Sequence, residues 1–535
     1  MAAVPAHRVQ RLRRTWPRVE PRVAAAAGVA ALALVSVALR AVAVGHHLWM
    51  DEGIAVGIAS HPLPDIPGLL ALDGSPPLYY VLLHLWMAAF GSSEVAVHWL
   101  SMLLALLCVP AAWWLGRSVL DRRTAWFLTV LVAFCPFLTS HAPEARMYSL
   151  VVLLGLLCVG CFVHAYVRGR AAFRAPFGVA LALCLYTHNW AVFLAAALLA
   201  AWAWLVAGTP PGRRDGALRD GALGFGLAAL LYLPWVPTLV SQARHTGAPW
   251  GTAPEFGYLL GVPVVVYGSI PAAVVVLFAG APALRRVAPA HRRLVRVLAV
   301  LAALPALIGW GVSYIEPAWA ARYLAIIVAP LLLLTAVGLA HARWAGIAGL
   351  AALVALWAPA GPSLPHSDAY EIGSGAKQLL HRGDLVVSTA VGEVPLLEYE
   401  LPPGLRYATA LGPQRDPRVV DWRDVTERLA RSSIRRTVLP LLDRVRPGGR
   451  VLLVTPVRWD ERSERTMLGR LSRRRSAATE RALRLDPRFT FVATLPERVA
   501  PPANGALRGL VFRRAGAAGP GIRFGPHAGP RRPRR

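Results

Sequence analysis

The sequence predicts a polytopic α-helical membrane protein with a small α/β domain near its C-terminal end. Three observations predict it. Of the 535 residues, 56% are hydrophobic and only 16% charged, with a mean hydropathy of +0.48; soluble domains sit near about one quarter charged. Apolar runs recur as far as residue 360, each close to the roughly 20 residues that cross a bilayer. Past Pro359 the composition shifts, and short β-like runs alternate with helical ones over residues 366–514.

The N-terminal stretch 1–22 carries Arg8, Arg11, Arg13, Arg14, Arg18 and Arg22 before an apolar run. That order resembles a signal peptide. The run from Val23 to Val44 is too long for a typical signal core and lacks a small-residue cleavage site, so it reads as a retained first helix. Eleven apolar segments follow the chain: about 23–45, 96–116, 124–140, 147–167, 174–188, 190–208, 221–240, 257–282, 294–314, 322–341 and 344–360. Alternating their sides tests the reading. Loops on one side hold twenty-one arginines: the six above, Arg117, Arg122, Arg123, Arg168, Arg170, Arg174, Arg213, Arg214, Arg219, five between 285 and 296, and Arg343. Short loops on the other side hold three, Arg146, Arg244 and Arg322. Arginine-rich loops stay in the cytoplasm. This places the N-terminus inside and the loop from His46 to about Val95 outside, in a multi-pass plasma-membrane protein. Within that loop, Leu78–Phe90 is too short for a span and reads as an interfacial helix. Pro76 and Pro77 suit its start, and Tyr79, Tyr80 and Trp86 suit headgroup depth.

In residues 366–514 the expected strands are Leu385–Thr389, Val451–Val457, Phe489–Thr494 and Gly509–Arg513, and the expected helices Trp422–Arg431, Arg436–Arg444 and Glu464–Leu485. Gly448-Gly449 reads as a turn, since neither GxGxxG nor GK[ST] is present. Topology puts this domain outside the cell. Residues 515–535 are rich in Gly, Pro and Arg and read as disordered.

The net charge of +28 raises nucleic acid as a partner. Lys377 is the only lysine, so the arginine content is a chain-wide bias, and its clusters fall where membrane topology needs them. No nucleic-acid partner is expected. The five cysteines, Cys108, Cys135, Cys158, Cys161 and Cys184, all lie in apolar runs. Cys158 and Cys161 have a CxxC spacing without a nearby His or second pair, which reads as buried small residues and not a zinc or redox site.

The chemistry concentrates between Leu48 and Tyr80. This stretch contains no Lys or Arg, opens with Asp51-Glu52, continues through Asp73 and ends in Pro76-Pro77-Leu78-Tyr79-Tyr80. Carboxylates at a membrane surface are either solvated loop acids or functional. A second loop on the same side, Thr139–Tyr148, adds Glu144 and Arg146. Arginine at headgroup depth pairs bidentately with phosphate; the plainer alternative is a Glu144–Arg146 surface pair, worth little. His188 ends the fifth segment on that side, as a wall of an acceptor cleft or as a polar helix end. No His/Asp/Glu cluster shows metal-ligand spacing, although Asp51, Glu144 and a wet cleft are compatible with a divalent cation.

Residues 50–160 resemble the GT-C glycosyltransferases of the protein O-mannosyltransferase and aminoarabinose transferase type. The matching residues are Asp51-Glu52-Gly53, Pro76 to Tyr80 leading to Leu83-His84 and Trp86, Phe90-Gly91, Leu115-Gly116-Arg117 and Glu144 to Leu150; Ala321 to Leu324 with Pro330 is a weaker match. The sequence departs from the pattern at Ser75, where these proteins commonly have His. The resemblance implies a GT-C fold and a polyprenyl-phosphate-linked sugar donor, a mannose-like hexose or pentose. It implies transfer to a cell-envelope glycan, lipid or protein on the outer face by inverting displacement. By resemblance Asp51 is the general base, with Glu52 beside it in the catalytic set. Glu144 supports the base or positions the acceptor, and Arg146 and Arg322 meet the lipid phosphate. Tyr79, Tyr80 and His188 complete the expected substrate-binding set. No metal ligand is assigned. The rival class, a transporter or lipid flippase, would show inverted repeats and mid-membrane ionisable residues, and the sequence shows neither.

Overall fold

A computed structural model describes residues 21–365, 367–457, 466–496 and 506–516. The arginines up to Arg18, and the terminal stretch from residue 517, lie outside the described residues.

The helices follow the apolar runs, except that the stretch read as an outer loop also folds into two short helices, the second and third here: α1 Pro21–Ala41, α2 Met50–Ala59, α3 Ile66–Asp73, α4 Leu78–Phe90, α5 Glu94–Val119, α6 Arg122–Phe134, α7 Pro136–His141, α8 Tyr148–Phe162, α9 Arg174–Leu185, α10 Ala191–Ala207, α11 Pro211–Tyr232 and α12 Val236–His245. After them come α13 Phe256–Leu260, α14 Val262–Tyr267, α15 Ile270–Val275, α16 Arg292–Ile315, α17 Ala325–His341 and α18 Arg343–Trp357. Among the described residues, six helical stretches are long and apolar enough to cross a membrane: Arg22–Ala41, Glu94–Val119, Tyr148–Val167, Pro211–His245, Pro289–Ile315 and Ala321–His341. With the shorter apolar helices between them, they make this a multi-pass membrane protein.

Not every expected segment is a single α-helix: 221–240 passes from α11 to α12 through a 3-10 turn at Leu233–Trp235, which holds Pro234, and two more are broken outright. The run 124–140 breaks into α6 and α7 at Pro136, because proline lacks the N–H that would continue the ladder and its ring clashes with the preceding turn. The run 257–282 breaks into α13, α14, α15 and two irregular turns. Pro263 and Pro271 start new helices there, and Gly268 takes a left-handed φ of +75°, a conformation glycine adopts without steric cost.

The bundle is built around α17, which contacts α6, α8 and α16. The span at its centre is 83% buried within the protein, whereas the span containing α1 is only 17% buried. A core helix apolar on all sides and a peripheral helix apolar toward its surroundings are what a membrane bundle requires.

The C-terminal part is a six-stranded mixed sheet in the order β3-β2-β1-β4-β6-β5. The strands are β1 Leu385–Ser388, β2 Arg406–Thr409, β3 Gly412–Gln414, β4 Arg450–Pro456, β5 Phe489–Leu495 and β6 Leu507–Arg514. β1 pairs in parallel with β2 and β4; the remaining pairs are antiparallel. β1 is buried along its whole length, as a strand covered on both faces must be. The four expected strands are present. β2 and β3 are additions, too short for a periodic pattern. The expected helix 436–444 is instead two short helices, Ile434–Thr437 and Leu439–Asp443, with Pro440 in the first turn of the second. Met467–Leu485 is the described part of the last expected helix.

The sheet unit sits on α2 and α3. A Cβ at Gly53 would meet Leu396 Cβ at 2.7 Å, and one at Gly57 would collide with the Arg418 carbonyl. Only glycine permits this approach. The Trp422 amide donates to the Leu72 carbonyl at 3.0 Å, and the Asp424 amide to the His245 carbonyl at 2.7 Å. His61 Nε2 meets Asp416 Oδ2 at 2.6 Å. These contacts fix the sheet unit directly over the arginine-free loop.

Candidate active site

The site is assembled at the first turn of α2. Glu52 occupies the third helical position, and its Oε2 accepts from the Trp49 amide at 3.2 Å. Acids in a first turn also favour the positive end of the helix dipole. Two adjacent side chains on a helix point in different directions, and here they enter different environments.

Asp51 faces a cavity of about 320 Å³. Its Oδ2 lies 3.2 Å from Arg322 Nη2 and 4.0 Å from Arg146 Nη2. Arg322 starts the span that continues into α17, and its guanidinium lies 5.6 Å from the ring centres of both Trp49 and Tyr323, within cation–π range. Arg146 donates from Nη1 to Tyr80 Oη at 3.1 Å and to the Asp51 carbonyl at 3.3 Å. The donors around Asp51 thus come from Arg146 and Arg322, far apart in the sequence. Arg146 Nε and Arg322 Nε are buried without a hydrogen-bond partner. Both forks therefore carry more donors than the protein consumes.

Glu52 faces the interior and is fully buried. Its Oε1 accepts from the Ala145 amide at 2.7 Å and from His98 Nε2 at 3.1 Å; its Oε2 lies 3.6 Å from His46 Nε2. Burial opposes ionisation, but the hydrogen bonds from His46 and His98 outweigh it and hold Glu52 at about 2. His46 is correspondingly raised: burial disfavours its charge, and Glu52 more than compensates. Glu52 is thus a clamp. It holds the amide next to Arg146, and so fixes where that guanidinium points.

His46, Glu52 and His98 bring their ligand atoms within 4.8 Å of one another, and the donor set can be tested for a metal ion. His98 Nδ1 accepts from the Gly45 amide at 3.2 Å, so its Nε2 carries the proton that it gives to Glu52. His46 Nδ1 lies 2.8 Å from the Ala43 carbonyl and must donate to it. His46 Nε2 in turn faces Glu52 Oε2 and shares a proton with it, which leaves no ring nitrogen free to ligate, so the cluster fits a proton-sharing network and not a cation.

The other expected residues separate in the same way. His188 lines the cavity and accepts from the Trp190 amide at Nδ1, 3.1 Å away. Glu144 does not line it; its Oε2 is 2.9 Å from His141 Nδ1, and it is buried. Tyr79 is sealed in the core with its hydroxyl 2.8 Å from Ser101 Oγ. Tyr80 is equally buried but bridges Arg146 to Asp73, 3.5 Å from Asp73 Oδ2. Asp73 and Ser75 line the cavity, as do Tyr148, Asn189, Gln242 and Glu316. Asp73, the last acid of the arginine-free loop, stood outside the expected site residues; its signal was that loop's composition. Burial pushes its carboxyl up from the ordinary range. Nothing in the sequence marked Asn189 or Gln242.

ArnT from Cupriavidus metallidurans, solved in the apo state, superposes with a TM-score of 0.58 at 14% identity, over 93% of this chain and 100% of that one. The chain has the GT-C fold. The same ArnT bound to undecaprenyl phosphate matches this GT-C chain with a TM-score of 0.57, again at 14% identity and over 93% and 100% of the two chains. The apo Archaeoglobus fulgidus oligosaccharyltransferase matches with a TM-score of 0.50 at 13% identity, over 70% of this chain and 63% of that one. No family model and no curated protein matches the sequence. At these identities the likeness is one of fold.

Proposed function

We propose that the protein is an integral membrane glycosyltransferase. It moves a mannose-like hexose or pentose from a polyprenyl-phosphate carrier to an acceptor hydroxyl on a cell-envelope glycan, lipid or protein. The supporting observation is the Asp51 carboxylate held between Arg146 and Arg322 at the wall of one cavity. In this reading the N-terminus is cytoplasmic, and the cavity and the sheet unit face the extracytoplasmic side. The structure of ArnT with undecaprenyl phosphate bound agrees with a lipid-phosphate ligand for this fold.

The chemistry follows from the groups present. The acceptor oxygen attacks the anomeric carbon, the bond from that carbon to the phosphate oxygen breaks, and the polyprenyl phosphate leaves with the bonding pair. The acceptor proton passes to the Asp51 carboxylate. Arg146 and Arg322 take the charge that grows on the leaving phosphate, in a buried setting where preorganised donors act most strongly. Until the donor arrives, Asp51 satisfies them. A phosphate entering the cavity offers the same guanidiniums a second anion, and freeing the carboxylate couples donor binding to base activation. Attack from the face opposite the phosphate inverts the anomeric centre.

A second cavity, of about 510 Å³, shares Thr246, Gly247, Ala248 and Glu316 with the first and extends along Trp422, Asp424 and Glu427 of the sheet unit. Trp250 of the first cavity and Trp422 of the second stand edge to face, 5.1 Å apart. We assign this passage to the acceptor, which would give the C-terminal unit its role. The test is sugar transfer from radiolabelled polyprenyl-phosphate sugar in vesicles. Consumption of donor that stops with Asp51→Asn supports the reading. No consumption of any such donor by the unaltered protein would sink the donor class.

A further inference from the structure

The geometry points to a second lipid site, for an anionic phospholipid, at the end of the bundle opposite Asp51. Between α1 and α5 lies a cavity of about 700 Å³, separate from both cavities of the candidate active site. Its body is apolar, with Ala26, Ala30 and Ala33 of α1 facing Leu107, Pro110 and Trp113 of α5. Its mouth carries three arginines from three helices: Arg22, Arg117 and Arg122. The span Arg22–Ala41 has 20 residues, so at about 1.5 Å per residue this mouth lies roughly 30 Å from the Asp51 end.

Beyond converging on one apolar cavity, the trio has two features that leave it open to a ligand. Among the described residues none of the three has a hydrogen bond or ion pair. Their neighbours do: Arg168 donates to the Val119 carbonyl, Arg123 to the Arg343 carbonyl, and Arg174 pairs with Asp220 at 2.6 Å. Arg122 also stands in the first turn of α6, where a cation opposes its own helix dipole. Its position does nothing for its helix and adds to the positive potential at the cavity mouth.

The shape selects the occupant. From Arg22 to Ala33 the groove follows eleven residues of α1, roughly 16 Å and about half of a hydrocarbon core of roughly 30 Å. That is one leaflet. An acyl chain of a phospholipid fills this depth, and its phosphate then stands at the height of the three guanidiniums. A polyprenyl chain is longer than the groove. Zwitterionic lipid offers the same chains, but its own cation offsets the phosphate.

Native mass spectrometry of the full-length protein tests this with phosphatidylglycerol, phosphatidylcholine and undecaprenyl phosphate, each titrated separately and in competition. Phosphatidylglycerol should bind more than tenfold more tightly than phosphatidylcholine. Each basic residue near a lipid surface contributes about a fivefold preference, so the variant Arg22→Gln/Arg117→Gln/Arg122→Gln should lose roughly a hundredfold of phosphatidylglycerol affinity. Ala30→Trp, which fills the groove without touching charge, should abolish the same tight adduct, and it carries the test if the triple variant fails to fold. Equal binding of the two phospholipids, or tight binding that survives Ala30→Trp, overturns the proposal. Displacement of phosphatidylglycerol by undecaprenyl phosphate from the unaltered protein but not from Ala30→Trp also overturns it, by giving the groove to the carrier lipid. None of these readouts depends on transferase activity.

Discussion

Asp51 and Glu52 are neighbours in the chain and opposites in the structure. Asp51 meets two guanidiniums at the edge of a cavity. Glu52, one residue on, is sealed among two imidazoles and two backbone amides. The helix alone sets the angle between them. What each side chain does depends on the surface it reaches: one faces space that a substrate can fill, the other faces groups that it must satisfy. Identical chemistry one residue apart thus yields a candidate base and a clamp.

The largest expected effect breaks the comparison from the cavity side. Asp51→Asn keeps the volume and one hydrogen-bond acceptor but removes the basicity. A general base is worth roughly 10²–10⁴ in rate, so kcat should fall within that range while donor binding is kept or tightened, since the phosphate no longer competes with a carboxylate for the two guanidiniums. An unaltered transfer rate, at matched expression, removes Asp51 as the base.

Breaking it from the interior side should damage the fold first. Glu52→Gln puts an amide where three donors converge, and at least one is left unsatisfied. A buried charge pair broken on one side costs about 3–5 kcal/mol, read as a lower thermal midpoint in detergent. Activity should fall through Arg146, whose backbone position Glu52 sets, and it should fall more in donor KM than in kcat. The pH profile adds a sign. Glu52 is held at about 2, well below its ordinary value near 4.5, so its stabilisation is complete above the ordinary value and is lost as pH falls toward 2. The variant should lack that acid limb. A variant as stable as the parent, with kcat reduced as far as in Asp51→Asn, would make Glu52 catalytic instead.

This difference explains what the sequence could and could not show. Asp51 was legible because it opens the outer stretch after the first apolar run, a stretch without a basic residue, and its arginines are rare on that side. The inward turn of Glu52 was not, since it depends on His98 and Ala145, brought near only by packing of α5 against the loop before α8. Tyr79 and Tyr80 read alike as headgroup aromatics; only their contacts separate a core tyrosine from one that bridges Arg146. The long helices up to residue 360 followed from hydropathy, because burial in lipid and in protein both demand apolar residues; α2 and α3, short and set in the expected outer loop, did not. The break at 257–282 was written in Pro263, Gly268 and Pro271, yet a continuous apolar run masks such punctuation.

A sharper test separates the phosphate-facing arginines from bystanders. A hydrogen bond to a charged group is worth about 1.5–3 kcal/mol, so Arg322→Ala should raise donor KM by roughly ten- to a hundredfold. Arg244→Ala, which lines only the second cavity, should change it little. Equal shifts deny Arg322 a special place. Orientation is checked alongside, with an impermeant thiol reagent. A cysteine at exposed Ser60 should label from outside, and one at exposed Arg170 should not; Thr124, the mirror position by sequence, is fully buried and cannot report.

The smallest effect reaches the pair from the sheet unit. Glu393 follows β1, is buried over α2 and has its carboxyl 3.5 Å from Ser367 Oγ. Burial, and then the negative charge of Asp51, push it up to about 8, so it is a neutral acid at pH 7. The folded state therefore holds a proton that the unfolded chain releases near 4.5. Stability contributed by this group is complete below that value and declines as pH rises through about 8, because the native state binds more protons over that window. Glu393→Gln mimics the protonated form. It should leave the protein unchanged near pH 5, and above pH 8 it should raise the thermal midpoint relative to the parent. Asp51→Asn should narrow the window from its upper end, since the larger of the two neighbouring charges that raise the carboxyl is gone, leaving burial and Asp368. If the parent and Glu393→Gln unfold in parallel from pH 5 to pH 9, the carboxyl is not held neutral, and the charge of Asp51 does not extend to the sheet unit.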